Sequence, residues 1–311
     1  MFTIALSNVI LTLFYAIPGF ALCKSKKATA KHLPTLSAVL VYICSPCMII
    51  SAFLGLDYRP EDFKRMGIFF VITLVLQSAF MLILRLIFAK SFSDSKYRML
   101  TIGSVMGNVG FFGLPIIRAM LPESPEAACY SAVYVLSMNM LVFTAGVFCL
   151  TGDKKFMSVK NAFINPSSLA AVVAIPLYIS GTGRFLCESG LEIAVNAVDL
   201  VGKMTTPLCM IILGIRLAEV DFKSLSMRPF VYLTCACKLL VYPLFCYGAV
   251  YFLPLDAAFK ASVLILSSVP CASIILNLAE MHKSETELAA NSVLLSTLIC
   301  FITIPLLALL I

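Results

Sequence analysis

The run Met106-Gly107-Asn108-Val109-Gly110-Phe111-Phe112-Gly113-Leu114-Pro115 puts three glycines, a proline and an uncharged amide near the middle of the apolar stretch 99–120. A stretch of that length can cross a bilayer as a helix, and these residues would break or loosen it. A backbone group freed at bilayer depth must be satisfied by neighbouring protein or by a water-lined cavity, so the pattern predicts a polar site inside a helix bundle. At such a break a helix N-terminus presents unpaired N–H groups and a positive dipole end, for which an anion is the natural guest. Asn108 can donate to a carboxylate without burying a charge, and Gly107, Gly110 and Gly113 would let backbone and ligand approach closely. The competing reading is that these glycines only let helices pack tightly. A second polar cluster, Ser273 and Asn277, follows Pro270, with Ile274 between them making that side less polar. Asn277 could equally cap or pack against a neighbouring helix.

Other residues with chemical potential are less telling. Cys44-Ser45-Pro46-Cys47 has C-x-x-C spacing, but neither a strand-to-helix context nor accompanying histidines make it a redox or metal site. His32 and His282 form no pair with ligand spacing, so no metal or cofactor is expected. Cys149, Cys209, Cys246 and Cys300 lie in apolar runs, where cysteine acts as a small buried hydrophobe, and twelve cysteines in all favour a reducing environment.

The elements that must position these groups are set by composition. Hydrophobic residues make up 61% of the 311-residue chain, charged residues 13%, and the mean hydropathy is +1.01. This predicts an all-α membrane protein with ten transmembrane helices, at about 2–22, 36–54, 67–89, 99–120, 127–150, 168–182, 192–216, 229–252, 258–280 and 288–310. The first segment lacks a basic n-region and a small-residue cleavage site, so it is expected to remain in the mature protein. The net charge of +7 is spread over short loops rather than one face, which argues for membrane orientation and against nucleic acid. With both termini outside, the inside loops carry Lys24, Lys26, Lys27, Lys31, Lys90, Lys96, Arg98, Lys154, Lys155, Lys160, Arg216, Lys223, Arg228 and Lys283. The outside loops carry only Arg59, Lys64, Arg65, Arg118, Arg184 and Lys260, while Arg85, Lys203 and Lys238 fall within spans. Lys238 is expected to be buried in the bundle or snorkelling, and Arg85 to snorkel.

Motifs recur between the halves. Pro46 in the second span corresponds to Pro207 in the seventh, and Pro115 in the fourth to Pro270 in the ninth. Five spans per repeat is odd, so the halves must enter the membrane in opposite directions. The expectation is two inverted five-helix repeats, residues 1–150 and 168–311, joined by a cytosolic linker at 151–167, with broken helices four and nine crossing near the midplane.

Asn108 to Pro115, the run Thr205-Thr206-Pro207-Leu208-x-Met210 with Gly214, Pro270-x-Ala272 followed by Leu278-Ala279-Glu280, and Ala289 to Thr297 together resemble the auxin efflux carrier family. That family includes the plant PIN carriers and many bacterial permeases, some assigned to malate or related organic acids. The resemblance spans nearly the whole chain. It implies a scaffold of helices 1, 2, 6 and 7 that also forms a homodimer, and a moving transport domain of helices 3–5 and 8–10. It further implies a substrate-binding role for Asn108, a site-facing place for Asn139, and a chain in the plasma (inner) membrane of a bacterium; the reading of the two breaks adds Gly107, Gly110, Pro115, Pro270, Ser273 and Asn277 to the candidate substrate site. The long cytosolic loop of many plant members is reduced here to about Thr151 to Pro166.

The leading functional expectation is therefore a secondary carrier, not an enzyme, that moves an organic anion by elevator-type alternating access, with H⁺ or Na⁺ coupling open. A transporter-like receptor that binds a ligand without net transport is the alternative. An intramembrane enzyme is disfavoured by the lack of paired carboxylates, a metal cluster or an activated nucleophile. Glu192, Asn196, Asp199 and Lys203 share one helical face. Asp199 and Lys203 could form a proton-sensitive coupling pair or an ion pair that fixes the scaffold, and the structural role is preferred.

Overall fold

The computed structural model describes residues 2–219 and 229–311, so Lys223 and Arg228 lie outside the described residues. Among the described residues the chain is helical, and seven helices are long and apolar enough to cross a membrane. They are Thr3–Lys24, Leu33–Leu54, Pro60–Ile87, Ala127–Thr151, Glu192–Glu219, Pro229–Tyr251 and Thr286–Leu310. An eighth crossing forms if Lys154–Ile164 and Pro166–Ile179, bent by 41° at their junction, are taken as one span. The expected fourth and ninth spans are each split in two. Ser95–Val105 is separated from Val109–Met120, and Ala257–Ser267 from Ser273–Met281.

Sidedness on these helices is the reverse of a water-soluble pattern, since both faces are apolar. On Pro60–Ile87, Phe69, Thr73, Leu76, Phe80 and Leu84 are buried, while Val71, Val75, Leu82 and Leu86 on the opposite side are more than half exposed. A helix that is apolar all round suits a bilayer, where lipid replaces the polar solvent.

Three prolines are absorbed within helices, Pro46 and Pro115 among them although interruptions were expected there. Pro46, Pro115 and Pro243 each follow a π-helical turn, Leu40–Cys44, Val109–Gly113 and Cys237–Val241. Proline lacks an N–H and its ring crowds the carbonyl four residues back, and the wider turn relieves both. The fourth helix is therefore broken at Gly107-Asn108, seven residues before its proline.

Close backbone contacts hold the first, second, sixth and seventh helical regions together. Gly19 abuts the Ile211 carbonyl and Gly214 abuts the Ala16 carbonyl, so Thr3–Lys24 and Thr205–Glu219 touch main chain to main chain. Gly202 lies on Met48 and Gly183 on Leu54 in the same way. The segment expected as a linker is structured: Val159–Ile164 is helical with Ala162 buried, and Asn165 caps Pro166–Ile179 by accepting from the Ser168 N–H at 3.0 Å.

Asp199 and Lys203 form an ion pair at 2.6 Å in the last turns of Glu192–Lys203, and Ser51 donates to Asp199 at 2.6 Å. The carboxylate thus ties Leu33–Leu54 to Glu192–Glu219. Asp199→Asn retains an oxygen for Ser51 and loses only a pair whose lysine is 68% exposed. The expected result is a stability loss under about 1 kcal/mol, with an unchanged pH profile of uptake in proteoliposomes. A shifted profile would assign coupling to this pair.

Candidate functional site

The two helix breaks meet. Gly107 and Cys271 form an antiparallel bridge, in which the Asn108 N–H donates to the Pro270 carbonyl at 2.8 Å and the Ala272 N–H to the Met106 carbonyl at 3.0 Å. Groups that each break would strand in the bilayer are thereby satisfied by the other break. Neighbours pin the crossing further. Ser296 accepts from the Cys271 N–H at 3.0 Å, and Ser131 donates to the Val109 carbonyl at 3.0 Å.

The half-helices are oriented in pairs. Ser95–Val105 and Ala257–Ser267 end at the crossing, so their negative C-terminal ends converge on one side of it. Lys238 stands there, wholly buried, donating to the Val105 carbonyl at 3.3 Å and the Ser267 carbonyl at 2.9 Å. Its ammonium lies 4.7 Å from the centre of the Tyr242 ring, whose hydroxyl is bonded to that of Tyr134 at 2.7 Å. Lys238 is thus buried, not snorkelling, and neutralises two helix termini at once. Gly107 serves this arrangement: a Cβ there would stand 2.9 Å from Lys238 Nζ and 2.8 Å from Val269 Cγ2. Its bareness admits the lysine and the partner helix, and Gly107 also lines a small recess beside Asn108.

Val109–Met120 and Ser273–Met281 start at the crossing, with Asn108 and Ala272 in the N-cap positions and no side-chain cap on either. Both positive ends open on a cavity of about 290 Å³. Asn108, Asn139, Ser273 and Asn277 all line it, and Ser37, Asn165, Ser167, Arg216 and Thr297 are also on its polar side. Leu40, Val41, Phe111, Phe143, Met210, Leu213 and Val293 make the rest apolar, and Ile274 is on the wall as expected for the less polar side. Asn139 donates from its amide nitrogen to Asn165 at 3.1 Å and Ser168 at 3.1 Å, which locks the bend before Pro166–Ile179 to the Ala127–Thr151 helix. Gly110 lines a smaller recess of about 90 Å³ beside Asn108 and Ser273. Pro115 sits in the first turn of Leu114–Met120 and Pro270 within the crossing, and neither contributes to the cavity wall. Asp199 and Lys203 are also absent from it. Of the cysteines, Cys209 lines the cavity along with Asn108, while Cys149, Cys246 and Cys300 are buried elsewhere.

Sequence reasoning missed Asn165, Ser167 and Arg216. The first two were assigned to the linker and its edge, where only the helix-capping pattern Asn165-Pro166-Ser167-Ser168 signalled order. Arg216 was counted as an inside-loop charge. It belongs to the last turn of Thr205–Glu219 and lines both this cavity and an adjoining vestibule of about 530 Å³.

A cavity walled by helix N-termini, amides and one guanidinium can hold an anion and has no nucleophile–base pair or metal-ligand group among the described residues. No curated protein matches the chain. The sequence model of the membrane transport protein family matches residues 4–161 and again 154–308. With both halves matched and its long apolar helices, the chain is a multi-pass integral membrane protein and belongs to the membrane transport protein family, in line with its resemblance to the auxin efflux carriers.

Proposed function

We propose that the protein is a secondary transporter of an organic anion with a carboxylate, bound at the crossing and carried by elevator-type alternating access. The observation that carries this reading is that both half-helix N-termini, uncapped by side chains, open with Asn108 on one largely apolar cavity. Two positive helix ends and a neutral donor stabilise a carboxylate without burying a fixed countercharge beside it. At about 290 Å³ the cavity is at the small end of ligand pockets, which fits a small organic acid.

In this reading the two split helices complete a set of ten spans in two inverted five-helix repeats, with both termini outside. The contacts among the first, second, sixth and seventh regions support a scaffold of those helices, through which two copies would dimerise. The remaining six regions would carry the crossing past it. No enzymatic step is part of the proposal, and H⁺ or Na⁺ coupling is to be read from the imposed gradients.

Uptake of labelled organic acids into proteoliposomes tests the reading. Asn108→Ala removes the donor but no part of the backbone crossing, so it is expected to lower uptake about tenfold or more, the size of one hydrogen bond to a charged group, with the variant still eluting as a folded species. Binding without flux would instead favour the receptor alternative, and unchanged uptake in the variant would remove Asn108 from the site.

A further inference from the structure

A groove of about 660 Å³ runs between Leu33–Leu54 and Pro166–Ile179 on the side away from the inner cavity. Tyr42, Pro46 and Ile50 recur every fourth residue on one wall, and Asn165, Leu169 and Val173 do so on the other. Each helix therefore gives the groove one continuous stripe. Tyr42 is 69% exposed and Val173 51%, so the chain itself leaves the groove uncovered. At bilayer depth such a surface faces acyl chains. A single spanning helix offers lipid a convex surface, whereas two stripes meeting in a groove grip one chain from both sides. Phe143, Asn165 and Pro166 belong to the groove and to the inner cavity alike, so whatever fills the groove lies directly behind the cavity wall.

One end of the groove carries charge. It is closed by Asn161 and Ile164, on the shorter arm before the 41° bend. That arm exposes Phe156, Met157, Val159, Phe163 and Ile164 beside Lys154, Lys155 and Lys160. Large apolar side chains mixed with lysines suit the boundary between acyl chains and headgroups, where rings and stems stay in the apolar layer and ammonium groups reach out of it. Lys160 is one turn before Ile164 on the same helical face, which places it at the mouth of the groove. The one acid in residues 151–166, Asp153, is taken up by Lys155 at 2.9 Å. Lys154 and Lys160 are left unneutralised within that stretch.

An apolar groove that ends in unneutralised lysines matches an amphiphile with an apolar tail and an anionic head. We infer that the groove is a binding site for one anionic phospholipid of the surrounding bilayer. One acyl chain lies between the two stripes, the phosphate sits at the mouth beside Lys160 and Asn161, and Lys154 adds positive field from the same arm. The bound chain packs on Phe143 and Pro166 from outside and so braces the wall of the inner cavity. A zwitterionic lipid with the same tails fills the groove equally well but brings its own cation, which cancels the attraction of the lysines. The site does not depend on which ligand the crossing takes.

The test is titration of the delipidated full-length protein in detergent with dioleoylphosphatidylglycerol and dioleoylphosphatidylcholine, followed by native mass spectrometry. Wild type is expected to hold one phosphatidylglycerol per chain. It should bind that lipid about fivefold more tightly than phosphatidylcholine for each lysine, or roughly twenty-five-fold for the two. Lys154→Gln combined with Lys160→Gln should bring phosphatidylglycerol down to the phosphatidylcholine level, with unchanged elution in gel filtration. Val173→Trp, which fills the groove from an exposed position, should remove the bound lipid of either kind. Leu169→Trp, also exposed, replaces it if that variant is not recovered folded. Equal affinities in wild type, no bound lipid at all, or a preference that survives the double lysine substitution overturns the site. Lipid retained by the tryptophan variant overturns its placement in the groove. A dimer mass that the tryptophan variant converts to monomer assigns the groove to a second copy of the chain and overturns the lipid site as well.

Discussion

Lys238→Met is expected to abolish transport and to lower the thermal stability of the detergent-solubilised protein by roughly 4–24 °C. The substitution preserves most of the side-chain volume but removes the donor to the Val105 and Ser267 carbonyls. Each buried acceptor left without a partner costs about 1–3 kcal/mol, which at about 2–4 °C per kcal/mol gives the stated shift. The effect on transport should exceed the effect on stability. Without the ammonium, the negative ends of Ser95–Val105 and Ala257–Ser267 face each other across the Gly107–Cys271 bridge, so the crossing that holds Asn108 in place loses its support. Lys238→Arg is expected not to rescue it, because the space beside Gly107 and Val269 that receives the ammonium is too tight for a guanidinium. Uptake in proteoliposomes and fluorescence-detected gel filtration after heating would measure the two effects separately. Wild-type uptake in a folded Lys238→Met variant would show that the lysine only fills space.

Gly214→Ala is expected to be the most damaging of the single-methyl additions. The new Cβ would overlap the Ala16 carbonyl and press on the Phe20 nitrogen, and backbone atoms cannot turn aside as a side-chain end can. The helices containing Ala16 and Gly214 must move apart, which also parts Gly19 from the Ile211 carbonyl. Overpacking of this kind costs about 1–3 kcal/mol. Gly67→Ala, in the Pro60–Ile87 helix with no atom within 4 Å of the added carbon, is the control. It is expected to be neutral or to stabilise by about 0.5–1 kcal/mol, the usual helix preference for alanine over glycine. Equal melting temperatures for the two variants would mean that the close contact of these helices contributes nothing to stability.

Much of the architecture was legible because the bilayer imposes simple rules. A long apolar stretch has few alternatives to a spanning helix, and the seven whole crossings fall close to the stretches marked by hydropathy. Glycine and asparagine near the middle of residues 99–120 indicated a break, because three glycines loosen the helix there and an amide at that depth needs a polar partner. Proline was a weaker guide. Pro46 and Pro115 were expected at interruptions, yet π-turns accommodate them, and whether a proline breaks a helix depends on neighbours that can take up its slack.

What the sequence determined by itself was the class of protein, its family resemblance and the position of the first break, because composition, period and short motifs are local properties. Only the tertiary structure decided what those breaks face. The pairing of Asn108 with Pro270, the use of Gly107 to admit Lys238, and the placing of Arg216 on a cavity wall instead of in a loop all join residues far apart in the chain. The charge of Lys238 and Arg216 is written in the sequence, but its meaning depends on which helix ends and which cavity surround it. Electrostatic energy follows distance through a low-dielectric interior, not separation along the chain.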